Sequence, residues 1–517
     1  MSGGNLTRRA MTKVLGAAAL AAPGLLHGAN ALKQPAKGKR EGAVWAFPGI
    51  RYASAARFER PVIATTIEQP YFGKADFAPI APQTGLAGEA QAEDCLYLNI
   101  WTPETNPAAK RAVMVYFHGG AYNNGSVTDP LTRGGTLAEQ GDVVVVTVNH
   151  RLNALGYLWL QPFGARYADS GNLGQLDLIA ALQWVRANIA RFGGDPSRVM
   201  VFGQSGGGAK IATLMAMPAA KGLFHSAATM SGQQVQASGP DHAWQRTKAF
   251  MAELKLAPGD VEGLRQMPLD RLVAGLHARD PIMGGSAYFG PVLDMTNLPR
   301  HPFWPDAAPQ SLGIPMILGN MLQETRTFLD PHGPKGQGIT WENLPARMNA
   351  EVKIDLDPLY VVAQYRAHHP DWTPTQVFYA ATTAGRSWPG QVIEADARAA
   401  AHADKTWVYC LTRPSPIDPL RGTGHTDDIP YVFGTLDVQH SEWGRSYSGT
   451  DAGAQATRDL LQGAFVKLAK TGDAGWEPYR LPNRATLLVS EAPRVENDPR
   501  GWEREMWGIA PYVQPGV

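Results

Sequence analysis

The run Gly203-Gln204-Ser205-Gly206-Gly207 sets a serine among glycines at the spacing G-x-S-x-G. Glycine is abundant here, 55 of 517 residues, so the pattern gains meaning only from its surroundings. It follows the strand-like RVMVFG directly and opens into GGAKIATLMAM, which reads as a helix. A serine on so sharp a strand-to-helix turn is held in a strained conformation, and the helix N-terminus beside it favours developing negative charge. Gly203 and Gly207 are required because strand and helix must approach closely to hold that turn. The chemistry this predicts is nucleophilic attack by Ser205 on a carbonyl carbon.

Such an attack needs donors placed in advance for the oxyanion. His118-Gly119-Gly120-Ala121-Tyr122, directly after the strand-like AVMVYF, offers a loop of small residues for that purpose. The expected donors are the N–H groups of Gly120, Ala121 and Gly206. A phosphate-binding loop is the rival reading, but no Lys-Ser/Thr follows and no G-x-G-x-x-G is present. The sequence has neither a C-x-x-C pair nor an H-E-x-x-H helix, and its 13 histidines show no ligand spacing, so no metal and no cofactor is expected.

The elements around these motifs alternate. AVMVYF at 112–117, DVVVVTV at 142–148 and RVMVFG at 198–203 read as strands separated by helical patterns, with a long helix near 174–192. That helix places Leu178, Leu182, Val185, Ile189 and Phe192 on one stripe. Strand and helix in alternation predict an α/β fold with a mostly parallel central sheet and helices on both faces. Further strands are expected at 314–319, 406–411 and 485–489. The stretches 233–285 and 326–400, rich in helix formers, Pro and aromatics, interrupt the rhythm and read as helical lid insertions over the edge of the sheet where open α/β folds place their sites. Trp372, Trp388, Trp443 and Tyr122 could line a gorge there, although packing within the lid is the commoner fate of such aromatics.

With 44% apolar residues the chain can bury a large core, and no internal repeat or single linker divides it. Residues 1–31 read as a cleaved twin-arginine-type signal peptide. They carry Arg8, Arg9 and Lys13, no acid, and the short apolar stretch VLGAAALAAPGLL before Ala29-Asn30-Ala31. Residues 32–517 are then a single catalytic domain, periplasmic or secreted, without a stable membrane anchor. Removing the three signal cations leaves 44 basic residues against 46 acidic ones, a balance that gives no footprint for nucleic acid. The two cysteines, Cys95 and Cys410, are expected as reduced, partly buried thiols.

Taken in order, these segments resemble the type-B carboxylesterases, the family of the cholinesterases and para-nitrobenzyl esterases. The resemblance runs from FPGIRYA (47–53) and Glu93-Asp94-Cys95-Leu96 through HGGAYNNGS, NHRLNALGYL, the GNLGQLD helix and the serine turn to GLFHSAATMSG, WEPY and RVENDP. It implies an α/β-hydrolase fold and a serine carboxylesterase that works through an acyl-enzyme. It also implies Glu324, in ILGNMLQETRTF, as the acid and His425, in GTGHTDDIPYVFG, as the base. A buried carboxylate at 324 would orient the imidazole and stabilise its charged form, and Asp294 is the reserve for that role. Ser231 is an open case: a partner of Glu324 or a plain strand-end serine. Gln204 and Gly206 stand where the family usually has Glu and Ala, and Gln323 and Thr325 flank the acid where Asp and Gly are common.

The expected substrate is a small-molecule ester and the expected assembly a monomer or homodimer. Hydrolysis of amides, carbamates or lactones by the same residues is an alternative, because fold and triad do not exclude it. A non-catalytic adhesion or binding module of the same fold is an alternative of another class.

Overall fold

Along Arg111–Phe117 the side chains of Val113, Val115 and Phe117 are buried in one hydrophobic cluster and those of Ala112, Met114 and Tyr116 in another. A strand apolar on both faces must lie within a sheet that is covered on both sides. The structure, a computed structural model, describes residues 36–517 except 87, 353, 442, 443, 515 and 517. The expected signal segment, residues 1–31, lies outside the described residues.

In chain order the described strands are β1 (Lys39–Glu41), β2 (Val44–Arg51), β3 (Ala53–Ser54), β4 (Val62–Ile63), β5 (Tyr97–Thr102), β6 (Arg111–Phe117) and β7 (Val144–Val148). Then follow β8 (Gly194–Gln204), β9 (Ser226–Met230), β10 (Met316–Met321), β11 (Thr406–Leu411), β12 (Ala485–Val489) and β13 (Arg494–Asn497). β3 and β4 form a small ribbon, and the others make an 11-stranded sheet in the order β1-β2-β5-β7-β6-β8-β9-β10-β11-β12-β13. From β7 to β12 neighbouring strands are parallel, and antiparallel strands flank both ends. The helix Leu173–Asn188 covers the face of Val113 and Val115, and Ala452–Thr471 covers the opposite face through Leu461, Phe465 and Leu468.

The expected strands are present, and 406–411 and 485–489 match their observed bounds. The edge strands β1 and β13, and β2 next to β1, carried no recognisable period. β2 contains Pro48 and Gly49, and its register against β5 shifts between Phe47 and Ile50, which breaks the alternation a strand should show. The helix ends at Asn188, and the stripe runs on through Ile189 and Phe192 in the 3-10 turn that follows; all five stripe residues are buried, but so are Gln175 and Asp177, so the helix is covered on nearly every side and not along one stripe. The buried charge of Asp177 is met by Arg151, whose Nε and Nη2 donate to its two oxygens at 2.8 and 2.7 Å.

Between β9 and β10 stand the helices Pro240–Glu253, Val261–Gln266 and Leu269–Gly275. Between β10 and β11 stand Leu344–Asn349, Pro358–His368, Pro374–Ala384 and Trp388–Ala400. Trp372 and Trp388 pack with the hydrophobic cluster of the second group, and Tyr122 is fully buried, so none of the three lines the cavity beside Ser205. Trp443 lies outside the described residues. Cys95 and Cys410 are free thiols and fully rather than partly buried; burial pushes Cys410 up to about 12. No helix among the described residues is long and apolar enough to cross a membrane.

Candidate active site

Ser205 follows the last residue of β8 and precedes the helix Gly206–Leu214, with φ 54° and ψ −123°. A serine rarely holds a positive φ, and close backbone contacts enforce it here. A Cβ added at Gly207 would lie 1.9 Å from the carbonyl oxygen of Phe117, and one at Gly203 would lie 2.6 Å from the carbonyl carbon of Gly207. Both sites therefore need glycine for the reason the motif predicted. The Ser205 amide donates to the Met230 carbonyl at 2.7 Å, tying the turn to β9.

The loop after β6 presses on the same helix end. A Cβ added at Gly206 would meet the Ala121 carbonyl oxygen at 2.1 Å, so the Gly120-Ala121 backbone lies against the first residue of the helix. Gly206, as the first helical residue, has no intrahelical acceptor for its N–H. Gly120 and Ala121 take positive φ of 80° and 52°. The three expected donors are thus neighbours around Ser205, and all three line one cavity with it.

Lys210, one turn further along the helix, braces this loop from behind. Its side chain is fully buried, and Nζ donates to the His118 carbonyl at 3.0 Å. Burial holds its pKa down at about 7. His118 stacks on His150 with ring centres 4.7 Å apart, and burial, helped by the Lys210 charge, depresses His118 to about 3. The sequence held a sign of this brace that motif reasoning passed over: a lone charge inside the apolar run GGAKIATLMAM.

Glu324 and His425 meet on loops beyond β10 and β11. The Nδ1 of His425 lies 2.5 Å from Glu324 Oε2, and the His425 amide donates to the Glu324 carbonyl at 3.2 Å. The other carboxylate oxygen accepts from Ser231 Oγ and from the Met321 amide, both at 2.7 Å. Ser231 is therefore a partner of Glu324. Asp294, the reserve acid, is committed elsewhere: it accepts from the amides of Thr296, Asn297 and Leu298 and from the side chain of Asn172.

The remaining ring nitrogen of His425, Nε2, faces the turn, 3.1 Å from the side-chain nitrogen of Gln204. Among the described residues no hydrogen bond joins the imidazole to the Ser205 hydroxyl; the neighbouring Gln204 amide engages Nε2 instead. An amide donor on Nε2 requires Nδ1–H toward Glu324, the tautomer that leaves the Nε2 lone pair available as base. Such bonds commonly tighten only once substrate is present. The contact between Gln204 and His425 spans 221 positions and has no local signal.

Ser205, His425, Gly120, Ala121 and Gly206 line one cavity of about 350 Å³ together with Ser231, Phe328, Tyr288 and Arg386. Phe328 stands 4.8 Å from the His425 ring. A separate cavity of about 320 Å³ beside β11, β12 and β13 contains neither Ser205 nor His425. Of the other motif residues, Glu93 accepts from Arg57 Nε at 2.9 Å and Asp94 from Arg51 Nη2 at 2.8 Å, which gives that motif a structural role away from the serine.

The chain matches the Carboxylesterase family over residues 21–507. It is 33% identical to the para-nitrobenzyl esterase of Bacillus subtilis (strain 168), over 91% of this chain and 96% of that protein. It is 28% identical to the phenmedipham hydrolase of Pseudarthrobacter oxydans, over 87% of this chain and 92% of that one. Among solved structures, a Geobacillus stearothermophilus carboxylesterase superposes with a TM-score of 0.77 at 32% identity, covering 91% of this chain and 98% of that one.

Proposed function

The chain belongs to the carboxylesterase family, has the α/β-hydrolase fold and hydrolyses carboxylic esters, and from that premise we propose that Ser205, His425 and Glu324 carry the reaction through an acyl-enzyme. The observation that supports this most is the short contact of Glu324 Oε2 with His425 Nδ1, which leaves Nε2 turned toward the serine turn.

Ser205 attacks the ester carbonyl while His425 Nε2 takes its proton, displacing the Gln204 amide from that nitrogen. Glu324 holds the tautomer and offsets the imidazolium charge. The N–H groups of Gly120, Ala121 and Gly206 receive the oxyanion, assisted by the N-terminal end of the helix Gly206–Leu214. His425 then protonates the leaving alcohol. A water, activated by the same nitrogen, releases the acid and restores Ser205. Turnover falls when the imidazole is protonated, because the base is then occupied. Every bond made or broken is served by side chains and amides of this chain.

The insertions 233–285 and 326–400 act in this proposal as lids over a single catalytic domain, 32–517. Residues 1–31 act as a twin-arginine-type signal cleaved after Ala31, which places the mature protein in the periplasm or outside the cell. N-terminal sequencing of material from the native host checks the export reading, and an intact Met1 overturns it.

The catalytic assignment is tested by a fluorophosphonate and by Ser205→Ala. Expected are a single mass adduct on the peptide containing Ser205 and a loss on the order of 10⁶ in kcat for 4-nitrophenyl acetate. A fully active Ser205→Ala enzyme, or an adduct on another residue, sinks it.

A further inference from the structure

Among the described residues that line the Ser205 cavity, Arg386 is the one charged side chain besides the titratable His425. It sits in the turn between the helices Pro374–Ala384 and Trp388–Ala400, so the second insertion delivers it to the cavity. Its guanidinium carbon lies 4.6 Å from the centre of the Phe328 ring, on which His425 also packs. One phenyl ring thus bridges the arginine and the imidazole.

Arg386 is half-buried, and the carboxylates that act on it are engaged by other groups. Glu351 pairs with Lys335 at 2.8 Å. Glu324 is taken by His425, Ser231 and the Met321 amide. Among the described residues no carboxylate stands within ion-pairing distance of Arg386. Burial lowers its pKa while Glu351 and Glu324 counter that shift from a distance. A guanidinium drawn out of water without a carboxylate partner is unfavourable until an anion arrives, and its planar fork of donors fits a carboxylate in two-point contact. The surrounding wall supplies polar side chains, Asn123, Asn124, Gln233 and Gln514, and among the described lining residues no acid that would repel an anion.

We infer that Arg386 receives an ionised carboxylate of the substrate, so that the enzyme favours esters bearing a second carboxyl group over neutral esters of the same size. The inference rests on the assignment of Ser205 as the nucleophile in this cavity. The anion can belong to the acyl part, as in a half-ester of a dicarboxylic acid, or to the alcohol part.

Two pairs of esters separate these sources: monomethyl adipate against methyl hexanoate for the acyl side, and 4-acetoxybenzoate against 4-methylphenyl acetate for the alcohol side. The readout is the ratio of kcat/KM, charged over neutral, because a merely structural role for Arg386 moves both members of a pair together. Arg386→Met and Arg386→Gln are expected to lower that ratio about 10- to 100-fold in one of the two pairs, the range for a charge-assisted hydrogen bond. Arg386→Lys, which keeps the charge and loses the fork, is expected to lower it less than about tenfold. Raising the salt concentration shrinks the wild-type ratio in the same pair. Where an ester is turned over too slowly, its inhibition of 4-nitrophenyl acetate hydrolysis gives the corresponding ratio of inhibition constants, charged against neutral. A ratio unmoved by all three substitutions in both pairs overturns the inference. Failure of the Ser205 assignment is seen separately, as neutral-ester turnover that survives Ser205→Ala.

Discussion

Ser205 and the Glu324–His425 pair are held in place by opposite means. The serine turn is fixed by backbone packed on backbone, with Gly203, Gly206 and Gly207 against Phe117 and Ala121 at distances that admit no side chain. The acid and base stand on loops and are fixed by side-chain hydrogen bonds from Ser231, from the Met321 amide and from each other. The first arrangement has no tolerance and is written in residue types at adjacent positions. The second is spread over three loops and degrades in steps. That difference sets how each side fails.

Gly207→Ala should break the serine side outright. Its Cβ meets a carbonyl oxygen that cannot yield, so turnover is expected to fall as far as in Ser205→Ala, about 10⁶-fold, with a lowered thermal midpoint. A variant that keeps near-normal kcat and melting temperature would show that the turn has room to shift. Glu324→Gln should leave the fold standing and lower kcat by about 10⁴, because the amide can no longer impose the tautomer. Steady-state rates alongside a melting curve distinguish the two kinds of failure.

Ser231→Ala removes one of the two other donors to Glu324 while the Met321 amide stays. The expected loss is about tenfold in kcat, the worth of roughly one hydrogen bond. A loss as large as that of Glu324→Gln would mean that the loop side is as intolerant as the turn.

The smallest effect concerns Lys210, whose pKa burial lowers from the ordinary 10.5 to about 7 in the folded protein. Below about pH 7 the amine is charged in both states, and burying that charge opposes folding. Between about 7 and 10.5 the folded amine is neutral while the unfolded one still binds its proton, so the wild type gains stability as pH rises through that window. Lys210→Met, without a charge to bury, should therefore compare most favourably with the wild type at pH 6 and lose that advantage, by roughly a few degrees in melting temperature, by pH 10. Calorimetry at the two values checks the sign. An advantage that grows with pH would place the charge elsewhere.

Much of the fold could be read directly. The central strands are β-branched and bounded by glycine or proline, and the insertions announce themselves by losing the strand rhythm. The edge strands β1 and β13 escaped because they are short and polar, and β2 because it is interrupted and pairs with β5 some fifty positions on. Glu324 and His425 came from resemblance to a family and not from local pattern, since a lone acid and a lone histidine in loops carry no period.

What the sequence by itself determined is local: a glycine-bounded serine between a strand and a helix, a loop of small residues after β6, and the order of elements that makes a covered parallel sheet. These follow from sterics within a few residues, which any chain with that spelling must obey. Only the tertiary structure decided that Gln204 reaches His425, that Ser231 supports Glu324 and that Arg386 enters the cavity above Phe328. Such contacts form when the sheet closes and the insertions fold back over it, so their geometry depends on the packing of the whole molecule and no short stretch of residues encodes it.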